Sequence, residues 1–140
     1  MKSLLAALVL TGVATLTAGT AMAQDAAKGE AVFKKCMACH RIGPDAKNLV
    51  GPILTGVVGR PAGKVDGFKY SELNHHSGEA GLVWTEANLV EYLADPNAFL
   101  KKFLTDKGHA DQAVGITKMA FKLPNEQERK DVVAFLATKK

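Results

Sequence analysis

Cys36-Met37-Ala38-Cys39-His40 places two thiols three residues apart, with an imidazole directly after the second. In a C-x-x-C-H arrangement the two sulfurs can form thioethers to the vinyl groups of a haem while the adjacent ring reaches the iron. The stretch therefore predicts one covalently attached haem c, held by Cys36 and Cys39, with His40 as a metal ligand. The rest of the chain speaks against two other uses of such a pair. A thioredoxin-like redox pair would sit beside a βαβ pattern, and no strand-rich pattern of that kind is present. A zinc site would need two further ligands, and the remaining histidines are His75, His76 and His109, with no second cysteine pair.

The first residues of the chain supply the export that haem attachment of this type requires. Lys2 gives a positive start, Leu4 to Leu16 is mostly Leu, Ala and Val, and Ala21-Met22-Ala23 offers small residues around a cleavage point. Residues 1–23 are expected to be a removed signal peptide and residues 24–140 a single monohaem domain. The apolar run is broken by Thr11 and Gly12 and falls short of the roughly 20 residues of a comfortable membrane span. An uncleaved anchor is the alternative. Removing 23 of the 140 residues leaves 117, enough for one core but small enough for a buried haem to help hold it. With both cysteines in the motif, neither is left for a separate structural bridge.

Periodicity places helices at both ends and in the middle of this domain. Ala26, Gly29, Val32 and Phe33 recur at three- and four-residue steps behind a capping Asp25. Asn125 can cap a last helix with Glu126 and Glu128 in its first turn, an apolar stripe of Val132, Val133, Phe135 and Leu136, and Lys139 and Lys140 closing it. Thr85 can cap a helix running through Ala94, and Asp95-Pro96 reads as a cap followed by proline at the first helical position, with a helix to about Thr105. Residues 41–70 and 107–124 read as loops. The first is rich in Gly and Pro, which suits close backbone approach to a flat cofactor. Asn74-His75-His76-Ser77-Gly78 reads as an exposed turn.

The sixth coordination position separates a carrier from a catalyst. Of four methionines, Met1 and Met22 leave with the signal, and Met37 is confined between the two thioether cysteines. Met119 remains. Taken alone, a Met before Phe121 and Leu123 would read as core filler. A haem to close and the lack of a competing thioether make it the expected second metal ligand. His75, His76 or His109 could instead give bis-histidine coordination.

These residues resemble the class I monohaem cytochromes c, and within them the longer type of bacterial cytochrome c2. The resemblance covers essentially all of residues 25–139. It rests on the haem motif together with Val50-Gly51-Pro52, Gly59-Arg60, Gly67-Phe68-Lys69-Tyr70, Leu82-Val83-Trp84, Tyr92-Leu93 and Thr117-Lys118-Met119. It implies an all-α cytochrome c fold, a small helical shell round one haem, with N- and C-terminal helices crossing near Gly29, Phe33, Val132 and Phe135. It also implies cofactor-binding roles. Pro52 would offer its carbonyl to the second nitrogen of His40. Tyr92 would place its hydroxyl near the Met119 sulfur, with Asn74 in the same network. Arg60, Tyr70, Trp84 and Thr117 would hydrogen-bond or neutralise the haem propionates, which are costly to bury otherwise. Trp84 and Tyr92 as plain core aromatics, and Arg60 as a solvated charge, are the alternatives. The chain departs from the family at Pro61, where a basic residue is frequent, and in extra residues around His75 to Gly81 and Phe103 to Val114.

The 18 basic side chains, less Lys2, leave 17 against 14 acidic ones, so charge distribution matters more than the total. Lys101, Lys102, Lys107, Lys118 and Lys122 bracket the Met119 segment, and Lys34 and Lys35 precede the haem motif. Such a basic collar would steer the protein to acidic docking sites in fast, weak, salt-sensitive encounters. An ordinary solvated lysine surface is the plainer alternative, and a nucleic-acid footprint is disfavoured by export and modest charge. The reading is a soluble, monomeric periplasmic one-electron carrier, not an enzyme. By resemblance its partners are a quinol-oxidising cytochrome bc1-type complex and a photosynthetic reaction centre or terminal oxidase. A haem peroxidase or gas-binding sensor with an open iron is the competing reading.

Overall fold

Asp25 begins the first helix as an N-cap: its carboxylate accepts from the amides of Ala27 and Lys28, two donors that the helix itself leaves unpaired. In this computed structural model, which describes residues 24–140, the helix that follows is α1 (Ala26–Phe33). The expected signal peptide, residues 1–23, lies outside the described residues. No acidic residue stands in the first turn of α1, so Asp25 alone supplies the negative end.

At the other terminus Asn125 accepts from the Glu128 amide and starts α5 (Glu126–Ala137), with Glu126 and Glu128 in its first turn. The helix stops two residues before Lys139, which instead lays its ammonium 4.5 Å over the Phe135 ring. α1 and α5 cross and bury Val32, Phe33, Val132, Val133, Phe135 and Leu136 between and beneath them. Each such side chain is worth about 1.5–3 kcal/mol removed from water. The crossing depends on Gly29. A Cβ there would lie 1.9 Å from the Asp131 carbonyl oxygen, so any side chain would push the helices apart. Asp131, although acidic and 3% exposed, is satisfied at the same crossing: its Oδ1 accepts from the Asp25 amide at 2.9 Å and from Gln127 Nε2 at 2.8 Å.

The middle of the chain follows its caps. Thr85 Oγ1 accepts from the Asn88 amide and opens α3 (Glu86–Ala94). Asp95 ends α3 and, through Oδ1 on the Ala98 amide, caps α4 (Pro96–Asp106) with Pro96 at its first position. Leu100 and Leu104 of α4 are fully buried. A short 3-10 turn, Ala110–Gln112, interrupts the loop that follows.

One element differs from the sequence expectation. Residues around His75 and His76 form a helix, α2 (Glu72–Glu79), rather than a turn. Ser71 caps it by accepting from the Asn74 amide, and the pairs His76–Glu72 and His75–Glu79 stand one turn apart on its surface. What holds it is burial. Leu73, Asn74 and Ser77 face inward, and Ser77 Oγ donates back to the Leu73 carbonyl at 2.8 Å. With only one apolar side chain larger than alanine in eight residues, no apolar stripe announces it.

The loop 41–70 is ordered by specific bonds, not by regular structure. Asn48 accepts from the Ile53 amide and donates to the Asp66 carbonyl, tying both arms together. Residues 59–62 pair with 82–84 through a single antiparallel bridge at Pro61 and Val83, with Gly59, Trp84 and Ala62 amides donating across it. Among the described residues this bridge is the only β-type pairing, and the fold is all-α.

Candidate haem site

The haem motif follows α1 without a break. The amide of Cys36 donates to Phe33, and those of Cys39 and His40 both donate to the Cys36 carbonyl, winding residues 36–40 into consecutive tight turns. This brings Cys36 and Cys39, both unbridged, onto one half-buried stretch. Burial pushes the Cys36 thiol up, the Cys39 sulfur adds to the rise, and Lys35 opposes it.

His40 is 9% exposed. Its Nδ1 donates to the Pro52 carbonyl at 2.7 Å, which fixes the ring and leaves Nε2 as the nitrogen with a lone pair. Burial lowers the His40 pKa, the Pro52 carbonyl opposes that, and Arg60 adds to the lowering. A neutral ring is the ligand form. Gly51 makes this approach possible: a Cβ there would lie 2.4 Å from His40 Cε1. Its amide also donates to the Cys39 carbonyl at 2.8 Å, so the Pro52 loop is clipped back onto the motif.

Across the interior, residues far apart in sequence converge on Met119. The Tyr92 hydroxyl donates to the Met119 sulfur at 3.5 Å. Burial pushes the Tyr92 pKa up to about 12, against the neighbouring Thr117 and Asn74 side chains. The hydroxyl thus stays protonated and stays a donor. Thr117 Oγ1 donates to Asn74 Oδ1 at 2.8 Å, accepts weakly from the Met119 amide at 3.4 Å, and is itself buried. Ser71 donates to the same Asn74 oxygen at 3.0 Å. Trp84 packs on Tyr92 with ring centroids 4.7 Å apart, and Phe99 closes the cluster.

Arg60 and Tyr70 lie on the loop side. Arg60 donates to the carbonyls of Ile53 and Thr55, and the Tyr70 hydroxyl accepts from the Val65 amide at 3.3 Å. Half-burial lowers the Arg60 pKa while Tyr70 opposes it, and half-burial raises that of Tyr70. Pro52, Asn74, Tyr92 and Thr117 thus bond to, or within one link of, a proposed metal ligand, whereas Arg60 and Tyr70 brace the loop 53–65. Pro61, the departure from the family pattern, takes part in the bridge to Val83.

Three contacts have no counterpart in the sequence reading. Asn97 Oδ1 accepts from the Thr117 amide at 3.0 Å. Lys118 Nζ donates to the Lys69 carbonyl and lies 5.9 Å over the Phe68 ring, tying the Met119 segment to the loop 65–70. Ser71 joins the Asn74 network through the cap that the expected turn concealed. An Asn after Asp-Pro reads only as helix first turn, so no sequence signal pointed to Asn97.

A thiol pair, a buried neutral imidazole and a thioether aimed at by a tyrosine hydroxyl form a donor set that fits a covalently held haem, and a helical shell around such a set is the architecture of a c-type cytochrome. The family model described as cytochrome c matches residues 26–140, and the chain belongs to that family. It is similar to a cytochrome c2 of Rhodopseudomonas palustris, 77% identical over 117 residues, 84% of this chain and all of the relative. A cytochrome c2 of Rhodopseudomonas palustris strain ATCC BAA-98 / CGA009 is 67% identical over the whole chain and 99% of its own length. Among solved structures, cytochrome c2 from Rhodospirillum centenum superimposes with a TM-score of 0.82 at 71% identity, covering 83% of this chain and 98% of that one. The family carries one covalently attached haem c and its members of this type are electron carriers, not enzymes.

Proposed function

We propose that this chain is a soluble periplasmic one-electron carrier whose haem is attached through Cys36 and Cys39 and ligated by His40 and Met119. The observation that carries the ligand assignment is the hydroxyl of Tyr92 on the Met119 sulfur, paired with a buried His40 whose other nitrogen is already engaged by Pro52. When bound, the haem would supply an iron that gains and loses a single electron, and a thioether together with an imidazole would favour a higher potential than two imidazoles. The protein's part is to hold both donors still. Pro52 and Gly51 fix the His40 ring, and Tyr92, Thr117 and Asn74 fix the thioether. The apolar cluster of Trp84, Tyr92 and Phe99 excludes water and leaves little to rearrange when charge changes. Arg60, Tyr70, Trp84 and Thr117 are the groups to receive the propionates.

Residues 1–23 are the export signal in this reading, and 24–140 the mature domain. A relative whose entire length aligns with 117 residues of this chain supports that division. Among the described residues, no helix is long and apolar enough to cross a membrane. Donor and acceptor are a quinol-oxidising cytochrome bc1-type complex and a photosynthetic reaction centre or terminal oxidase, met by a monomer. The docking charge is softer than the lysine count suggests, because Lys35, Lys102 and Lys122 each lie against a carboxylate. Exposed Val114 and Ile116 on the Met119 loop add apolar contact.

The test is an optical spectrum of the periplasmically produced protein, oxidised and reduced, with and without carbon monoxide. A low-spin spectrum with a methionine-to-ferric-iron charge-transfer band and no carbon monoxide shift is expected. Met119→Ala should keep the haem attached, lose that band, lower the potential and admit carbon monoxide. Wild-type potential and ligand resistance in that variant would remove Met119 as the ligand.

A further inference from the structure

The segment carrying Met119 is fastened at three points to one short corner, Leu93 to Asn97, where α3 gives way to α4. Two residues before Met119, the Thr117 amide donates to Asn97 Oδ1 at 3.0 Å. Three and four residues after it, Lys122 Nζ meets Asp95 Oδ2 at 2.6 Å and the Leu123 amide donates to the Leu93 carbonyl at 2.8 Å. The corner therefore grips the segment on both sides of Met119.

Of the two side-chain bonds in this grip, that of the half-buried Asn97 is the better shielded, because it ends on a buried residue. The Lys122–Asp95 pair is largely exposed and of little worth in water, whereas Thr117 is 8% exposed. A buried amide that loses its acceptor must stay unpaired or drag its segment toward water. Asp95 Oδ1 already caps α4 through the Ala98 amide, which leaves the Asn97 oxygen for the loop. The residue it holds is also the one whose hydroxyl joins Asn74 to the Met119 amide.

We propose that Asn97 is a positioning residue for Met119: by fixing the Thr117 backbone it sets how often the segment lifts and lets another ligand compete with the thioether. This rests on the reading of Met119 as an iron ligand. An external ligand binds the lifted form, so its apparent affinity rises in proportion to the fraction lifted.

The probe is imidazole, titrated into the ferric holoprotein at fixed pH and salt while the methionine charge-transfer band is followed. Asn97→Ala, and Asn97→Leu with a similar side-chain volume, should bind imidazole about tenfold more tightly than wild type, the equivalent of one buried amide left without its acceptor. Asn97→Asp keeps an oxygen acceptor and should stay within about twofold of wild type. Thr85→Ala removes a cap elsewhere on α3 and should lower the denaturation midpoint with no change in imidazole affinity. If the Asn97→Ala and Asn97→Leu proteins lose stability yet bind imidazole like wild type, Asn97 is merely structural and the proposal fails. If Met119→Ala leaves the band and the imidazole affinity unchanged, the ligand reading itself fails and takes this proposal with it. Loss of the band in Met119→Ala beside unaltered Asn97 variants would overturn the positioning role alone.

Discussion

The two sides of the candidate haem site are built in opposite ways. On the His40 side, residues 36–40 wind into turns that continue α1, and the bonds that fix the imidazole span 12 positions: Gly51 to Cys39 and Pro52 to His40. On the Met119 side the bonds reach 20 positions to Asn97, 27 to Tyr92 and 43 to Asn74. A ligand held by its own sequence neighbours is expected to stay in place until the domain unfolds. A ligand held by distant elements can be released by a local opening, at a lower free energy than global unfolding. In the proposed carrier, attachment would fall to the first side and tuning to the second.

The largest effect expected from breaking this contrast is at Gly51. Gly51→Ala places a methyl within 2.4 Å of the His40 ring, and overpacking of this kind costs about 1–3 kcal/mol or more. The holoprotein's unfolding free energy, read from its denaturant midpoint and slope, should fall by at least the upper part of that range, about 3 kcal/mol. A small change would mean that the His40 side yields as readily as the Met119 side. Next comes Tyr92→Phe, which removes the donor to the Met119 sulfur. A hydrogen bond of about 1 kcal/mol that favours the reduced state corresponds to a drop in potential of about 40 mV. Redox titration reads it directly, and an unchanged potential would show that the hydroxyl does not tune the thioether.

On the Met119 side, Asp95 carries a pH dependence. The Ala98 amide first, then Lys122, hold its carboxyl below the usual carboxylate range. A group whose folded pKa lies under its unfolded one stabilises the fold above the unfolded value and loses that contribution as pH falls through the folded value. Asp95→Asn keeps a capping oxygen, so it should flatten the acid limb of the stability curve below about pH 4, near the unfolded carboxyl pKa. An acid limb as steep as wild type's would place the titrating group elsewhere. The smallest effect belongs to the surface pair Lys35–Glu128 beside the haem motif. Lys35→Gln should cost less than about 1 kcal/mol and nothing measurable at high salt. A larger, salt-resistant loss would show that the His40 side depends on its surface charge.

The legible parts of the fold were those encoded by neighbours. Asp25, Thr85, Asp95 and Asn125 each cap the helix their position predicts, because a cap needs only its own side chain and an amide two or three residues on. α2 was not legible. Its eight residues carry two histidines and two glutamates, and the helix exists because Leu73 and Ser77 are buried by elements from elsewhere in the chain. The charge expectation was legible in number but not in effect, since Lys122 meets Asp95 and Lys35 meets Glu128 only after folding.

The residue order alone keeps two thiols and an imidazole together, since they lie within five residues, and leaves Met119 as the thioether proposed to meet them. Tertiary structure decided what holds that methionine. The Tyr92 hydroxyl, the Asn74 and Thr117 side chains and the Asn97 oxygen come from α3, α2, the loop and α4, and their meeting depends on how those elements pack. Short-range bonds are set by chain geometry, whereas long-range ones exist only where burial brings their partners together.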